Sequence, residues 1–375
     1  MSSASSPSIT KSAFERLPVE IMQAIMKELP DLLCLDSMIR SCSTFNEAFA
    51  QAGSLIASHV LTEQIEPHLQ PEAIAVFGSS RIKAWNQATF SAFDRRHLQR
   101  RNCRRVTWSL EDIKSISRLR RRINYFADDF AAKSKSHMLG GSASVTVTER
   151  ARFQRAFYMF ELFCNVFQDF RRPVLPLPET STQFFARFSI VENEQLACVH
   201  DYLFRAIVPA FDDMVEHDVV WGEMSVEYSD WRDPGYIEPL LARGIEGVYS
   251  IVTAEGYEES YESMYPRYPE TTHNFLNAAL NGSNEDYHNV PIWSYASQDI
   301  NEANAHSFFE ETDEGPAEVW LWPHRRFSKR LFVNSDAHRS LQQWGYVMWD
   351  LPELNKADVF KSAWRQPPPE QASIL

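Results

Sequence analysis

The stretch Thr146–Phe170, TVTERARFQRAFYMFELFCNVFQDF, decides the fold class. Phe153, Phe157, Phe160, Cys164, Phe167 and Phe170 recur at steps of three and four, the spacing that places side chains on one face of an α-helix. Thr146 and Glu149 stand at the separation of a capping box, in which each side chain satisfies the other's backbone N–H. The helix ends before Arg172-Pro173, because a residue preceding proline is disfavoured in helical geometry. Toward the N-terminus, Ile113, Ile116, Leu119, Ile123, Phe126 and Phe130 form a second apolar stripe on a long helix, opened by the cap-like run Ser109-Leu110-Glu111-Asp112. Toward the C-terminus, Ser189 with Glu192 caps a third helix carrying Leu196, Val199, Leu203 and Ile207. Gly140-Gly141-Ser142 marks a flexible connection over 134–147, and Pro173, Pro176 and Pro178 a stiff loop.

Outside this block the reading stays helical. Residues 54–69 and 83–100 have helical patterning, as do shorter segments at 237–254, 271–281 and 334–350. Seven tryptophans punctuate residues 220–350, an acidic loop falls near 310–315, and Val319-Trp320-Leu321-Trp322 reads as a brief strand. Glycine is scarce, 12 of 375 residues, about half the usual share, which disfavours sheet-and-turn folds and phosphate-cradling loops. No repeat stands out at solenoid periods. The expected fold is mainly α, an N-terminal three-helix unit followed by an irregular helical domain.

That first unit is built from Phe14, Leu17, Ile21, Ile25 and Leu29, then Leu32, Leu33, Leu35, Met38 and Ile39, then Cys42, Phe45 and Phe49. Three short helices share too little core to bury all these residues, so an apolar strip should be left for some other surface to cover. The cover is either a partner protein or the rest of the chain.

The run Phe14-Glu15-Arg16-Leu17-Pro18-Val19-Glu20-Ile21, with Ile25, Leu29-Pro30, Leu32 and Leu35, resembles an F-box. Two features depart from that family: a short spacer between Pro30 and Leu32, and Cys42-Ser43-Thr44-Phe45 where many members carry a Cys-x-x-Trp signature. The body, through Phe157–Asn165 and Leu341–Asp350, resembles fungal F-box-like proteins whose helical body has no assigned function. The resemblance implies a Skp-type adaptor as partner, and through it a cullin, with the C-terminal body selecting an unidentified target for ubiquitination. It implies Leu17, Pro18, Ile21, Ile25, Leu29, Leu32 and Leu35 as the partner-binding residues. The corresponding layout is a tail over 1–12, an F-box-like domain over 13–53, a helical domain over 54–355 and a second tail over 356–375.

Charge and chemistry narrow the alternatives. Net charge is −13, with thirteen Lys/Arg against three acids over 81–122 and thirteen acids against one Arg over 255–315; the two segments are expected to face each other. The arginine clusters at 95–96, 100–101, 104–105 and 118–122 read better as a solvated face than as a nucleic-acid site, given that overall charge. The five cysteines are odd in number and contain no C-x-x-C pair, so neither a disulfide framework nor a zinc ribbon is expected, and Cys34, Cys42, Cys164 and Cys198 read as small apolar residues. His217 with Asp218 and Glu223, and His306 with Glu310 and Glu311, place imidazole near carboxylate without the three or four ligands a metal needs. No nucleophile elbow, P-loop or dinucleotide fingerprint occurs. No cofactor, metal or catalytic residue is expected, and no membrane span or secretory signal is visible, which points to the cytoplasm or nucleus. Two other classes stay open: a helical scaffold with a vestigial box, and an intracellular enzyme with its site among residues 150–350.

Overall fold

The computed structural model describes residues 12–99, 110–139, 144–167, 177–217, 234–264, 276, 279–280, 313–324, 336–362 and 364. The fold is mainly α, with no strand among the described residues. No described helix is long and apolar enough to cross a membrane. The chain divides into two compact units, Met1–Gln70 with Cys103–Arg118, and Pro71–Asn102 with Leu119–Leu375.

The first unit holds α1 (Val19–Lys27), α2 (Leu32–Ser41) and α3 (Ser43–Gln64), with α1 and α2 both packed on α3. Pro18 sits just before α1, and its carbonyl accepts from the N–H groups of Ile21 at 3.0 Å and Met22 at 3.1 Å in the first turn. Asp31 caps α2 by accepting from the Cys34 N–H at 2.7 Å. Helix α3 runs 22 residues, past the boundary expected after residue 53, and bends at Ala52, whose backbone leaves helical geometry (φ −140°, ψ 22°). The Ala48 carbonyl, which a regular helix would offer to the Ala52 N–H, accepts from Gln23 Nε2 at 2.9 Å and so ties α1 to the bend. The unit also contains the first turns of α6 (Leu110–Leu139), where Ile113 and Ile116 are buried. Two further helices, α4 (Gln70–Ser80) and α5 (Gln87–Phe93), follow α3 in the chain, and the latter runs into a π-turn over Asp94–Leu98.

The second unit is arranged round α7 (Val147–Phe167), in which every residue from Ala151 to Phe160 is buried. Helix α7 packs on α9 (Ile190–His217), which follows α8 (Leu177–Phe185). Both expected capping boxes form: the Thr146 N–H reaches Glu149 Oε2 at 2.8 Å and the Ser189 N–H reaches Glu192 Oε2 at 2.8 Å. Aromatic contacts fill the centre, with Phe130 stacked on Tyr202 at 4.5 Å, Phe126 on Phe157 at 5.9 Å, and Phe153 edge-on to Trp349 at 5.5 Å. Helices α10 (Pro234–Leu241), α11 (Gly244–Val252), α12 (Tyr257–Met264), α13 (Gly315–His324), α14 (Asp336–Gln343) and α15 (Leu351–Lys356) complete the described part.

Several expectations change. The strand expected at 319–322 lies within α13, a helix buried nearly all round, where an apolar run loses the 3.6-residue period that would have marked it. The connection expected from residue 134 begins after Leu139, because α6 continues to that point. The expected helix at 54–69 is the end of α3 plus a short turn over Pro67–Leu69. The tail expected from 356 is ordered through Ser362, whose carbonyl accepts from Trp322 Nε1 at 2.8 Å, and Trp364 is buried. The caps expected at Ser109 and the loop prolines 173 and 176 lie outside the described residues.

Because α7 is enclosed, its polar residues need partners. Arg152 donates to Asp350 Oδ1 at 2.7 Å and to the Met348 carbonyl at 3.0 Å. Thr146 and Thr148 each donate to Asp350 Oδ2 at 2.8 Å. Removing Asp350 strands a buried guanidinium, so Asp350→Ala is expected to lower unfolding free energy by about 3 kcal/mol or more. Arg150→Ala breaks the surface pair with Asp128 and is expected to cost at most about 1 kcal/mol. Urea unfolding followed by tryptophan fluorescence measures both.

Candidate functional site

The sequence-derived partner residues occupy two layers of the first unit. On α1, Met22 and Met26 are the buried pair, at 2% and 0% exposure, and point into the interface with α3. Ile21 and Ile25 stand one position earlier, about 100° round the helix, and face outward. Ile21 is 47% exposed, Pro18 is exposed, and Leu17, Ile25 and Leu29 are half-buried. Pro18, Ile21, Ile25 and Leu29 therefore form a stripe at steps of three, four and four along one side of the α1 region.

On α2 the outcome is split. Leu35 is buried at 2% exposure and belongs to the interior, and Leu32 is half-buried. Leu33, part of the expected apolar run but not of the expected partner-binding set, is exposed at 57%, and Phe14 in the short turn before α1 at 59%. The signal for Leu33 was available: Leu35 and Ile39 at a step of four mark the inward row, which leaves Leu33 to the outside. The unit thus presents Phe14, Ile21, Leu33 and Leu55 to solvent, while Met22 and Met26 join Phe45, Phe49, Ile56, Val60 and Leu61 in its core. Methionine suits such a core, since its unbranched thioether adapts to an irregular gap.

Residues considered for catalysis lie elsewhere or pair internally. The side chains of His217, Asp218, Glu223, His306, Glu310 and Glu311 lie outside the described residues, and no group of three or more His, Cys, Asp and Glu among those described could hold a metal. Cys164 and Cys198 are buried, and burial pushes both thiols up; Cys34 is exposed on α2, against expectation. Of the basic segment, Arg122 pairs with Glu246 at 2.9 Å, just ahead of the acidic stretch, most of which lies outside the described residues.

The second unit does bury ionisable groups. His200 Nε2 meets Glu238 Oε1, and the Leu276 N–H donates to Glu238 Oε2 at 3.2 Å. Tyr346 donates to Glu194 Oε1 at 2.8 Å, and the Ile245 N–H to Glu161 Oε2 at 2.7 Å. Burial raises Glu161 to about 7 and Glu194 to about 8. For His200 burial opposes the charged form, but the charge and hydrogen bond of Glu238 outweigh it and the net shift is upward. These groups join helix to helix, α9 to α10 and α7 to the start of α11.

A scan of the chain against family models finds no match, and searches of curated proteins and of solved structures find none either.

Ile21→Asp is expected to change stability by no more than about 0.5 kcal/mol, whereas Met22→Ala should cost about 2–4 kcal/mol, a contrast that denaturant unfolding reads directly. A second outcome concerns pH. Glu161, Glu194 and His200 all hold protons more tightly folded than unfolded, so each contributes stability at acid pH that is lost as pH rises through its folded value. Unfolding free energy should fall between about pH 5 and 8, by up to about 1.4 kcal/mol per pH unit for each group titrating. Glu194→Gln keeps the acceptor for Tyr346 and should flatten that slope, as unfolding at a series of pH values would reveal.

Proposed function

We propose that this protein is a substrate-recognition adaptor of a Skp-cullin-F-box type ubiquitin ligase, acting in the cytoplasm or nucleus. The first unit grips a Skp-type adaptor, which links it to a cullin, and the helical body holds a target protein. What supports the reading is the outward stripe on α1. Pro18, Ile21 and Ile25 are kept from the core by Met22 and Met26, although isoleucine is among the residues most often fully buried. An apolar strip that the chain does not cover completely lowers free energy when a partner covers it, by about 25 cal/mol per Å² of apolar surface removed from water. Leu35 takes no direct part, since it is interior; it holds α2 against α3 and so sets the position of Leu32 and Leu33.

The assay is co-purification of the full chain with a recombinant Skp-type adaptor, compared with the double variant Ile21→Asp, Leu32→Asp. Wild type should form a complex. The variant should lose on the order of a hundredfold in affinity, from about 2–3 kcal/mol of apolar contact removed and charge buried in its place. A wild-type chain that does not bind the adaptor ends this reading.

A further inference from the structure

In the second unit, α10 is a poor helix on its own sequence. Gly235 lowers its helical preference and Pro239 has no N–H to give to the Gly235 carbonyl, so its place in the molecule depends on what it packs against. Ile237, Leu240 and Leu241 are buried, and Cys164 Sγ lies 3.6 Å from the Leu241 carbonyl. The polar tether is Glu238. Its side chain has no solvent exposure, and its two oxygens serve two other parts of the chain: Oε1 meets His200 Nε2 on α9, and Oε2 accepts from the Leu276 N–H at 3.2 Å.

Charge balance at this contact rests on one proton. With His200 protonated, the buried carboxylate has its counter-ion; once the proton is lost, the neutral ring still donates a hydrogen bond but leaves the carboxylate uncompensated, a costly state away from water. The neighbouring charges are mostly negative. On α9, Asp201 favours the charged ring and is itself paired with Arg205 at 2.8 Å, while Arg339 on α14, an exposed residue, opposes it. On α7, Cys164 feels both Glu161 and Glu238. The acids of α11 and α12 point away, Glu246 to Arg122 and Glu258, Glu259 and Glu262 to solvent; on α13, His324 stacks on Trp320 and Glu318 is half-buried. The side chains of Asp336 and His338 on α14 lie outside the described residues.

We propose that the His200–Glu238 pair is a proton-operated latch: with the imidazole charged it holds α10 and Leu276 against α9, and loss of that proton to solvent base frees them. A segment with little helical preference of its own is suited to such release, since few internal bonds keep it formed once the tether weakens. The upward net shift of His200 agrees in sign, because the folded contact favours the charged ring. The latch lies wholly within the second unit and does not depend on the adaptor reading.

Hydrogen exchange of the full chain at a series of pH values tests it, each rate divided by the intrinsic rate of an unstructured amide so that only opening remains. The amides of Ile237, Glu238, Leu240, Leu241 and Leu276 should open at least about tenfold more often than those of α7 between Phe153 and Phe160, which marks a local event. That local opening should start to rise near pH 6.5, the ordinary value of an imidazole, by up to about tenfold per pH unit, and level off above the folded value. Glu238→Gln and His200→Gln should each abolish the rise, whereas a merely structural role would raise opening equally at every pH. Glu161→Gln and Glu194→Gln should leave the rise in place. Exchange of α10 at the rate of α7 overturns the proposal, as does local opening without a pH-dependent rise, or a rise that survives both latch variants or vanishes with Glu161→Gln or Glu194→Gln. Should a latch variant fail to fold, the Cε1–H signal of His200 in the wild type decides: a titration midpoint above pH 6.5 that coincides with the levelling of the rise supports the latch, and any other midpoint sinks it.

Discussion

Enclosing α7 on all sides is the constraint on which the second unit depends. A helix in the middle of a bundle cannot leave a charged or polar side chain in water, and α7 carries Glu149, Arg152, Gln154 and Arg155 within its first turns. An unpaired buried charge costs several kcal/mol, so each must meet a partner, and the partners come from remote parts of the chain. Asp350 reaches Arg152 across 198 residues, Asn124 accepts from Gln154 at 2.8 Å, and Glu72 lies 3.5 Å from Arg155. Lys135, itself buried, sits between Glu149 at 3.9 Å and Glu353 at 3.7 Å. These pairings add directionality to apolar contact, which alone would tolerate α7 in several rotations about its axis.

The same enclosure explains the elevated carboxyl groups. Glu161 reaches from α7 to the Ile245 N–H in the first turn of α11, where Gly244 adopts a left-handed backbone (φ +74°) and a Cβ would lie 2.6 Å from the carboxyl oxygen. Glycine is required there by both backbone and space. Glu194 serves Tyr346 in a comparable way from α9. Such groups join helices through hydrogen bonds and hold a proton more tightly in the folded state, which makes the interior of this unit responsive to pH.

The first unit follows a different logic. Its core sets Met22 and Met26 beside Phe45, Phe49, Ile56, Val60 and Leu61, and it leaves Phe14, Ile21, Leu33 and Leu55 facing water. Its bent third helix is tied to α1 by Gln23 and to the Pro30 carbonyl by a Gln64 contact of 3.3 Å.

Local chemistry was legible in the chain itself. The capping boxes at Thr146–Glu149 and Ser189–Glu192, and the apolar rows of α6, α7 and α9, depend on residues three and four apart, and a helix reads that spacing wherever it sits. What lay beyond such local rules was decided by tertiary contact. On α1, Ile21 and Met22 are equally apolar neighbours, and only the position of α3 determines that Met22 turns inward. On α13, burial on every side removes the polar face by which a helix announces itself, so Val319–Trp322 resembled a strand until its surroundings were known. The pairing of Arg152 with Asp350 joins residues with no relation along the chain, because a desolvated charge selects its partner by distance in space.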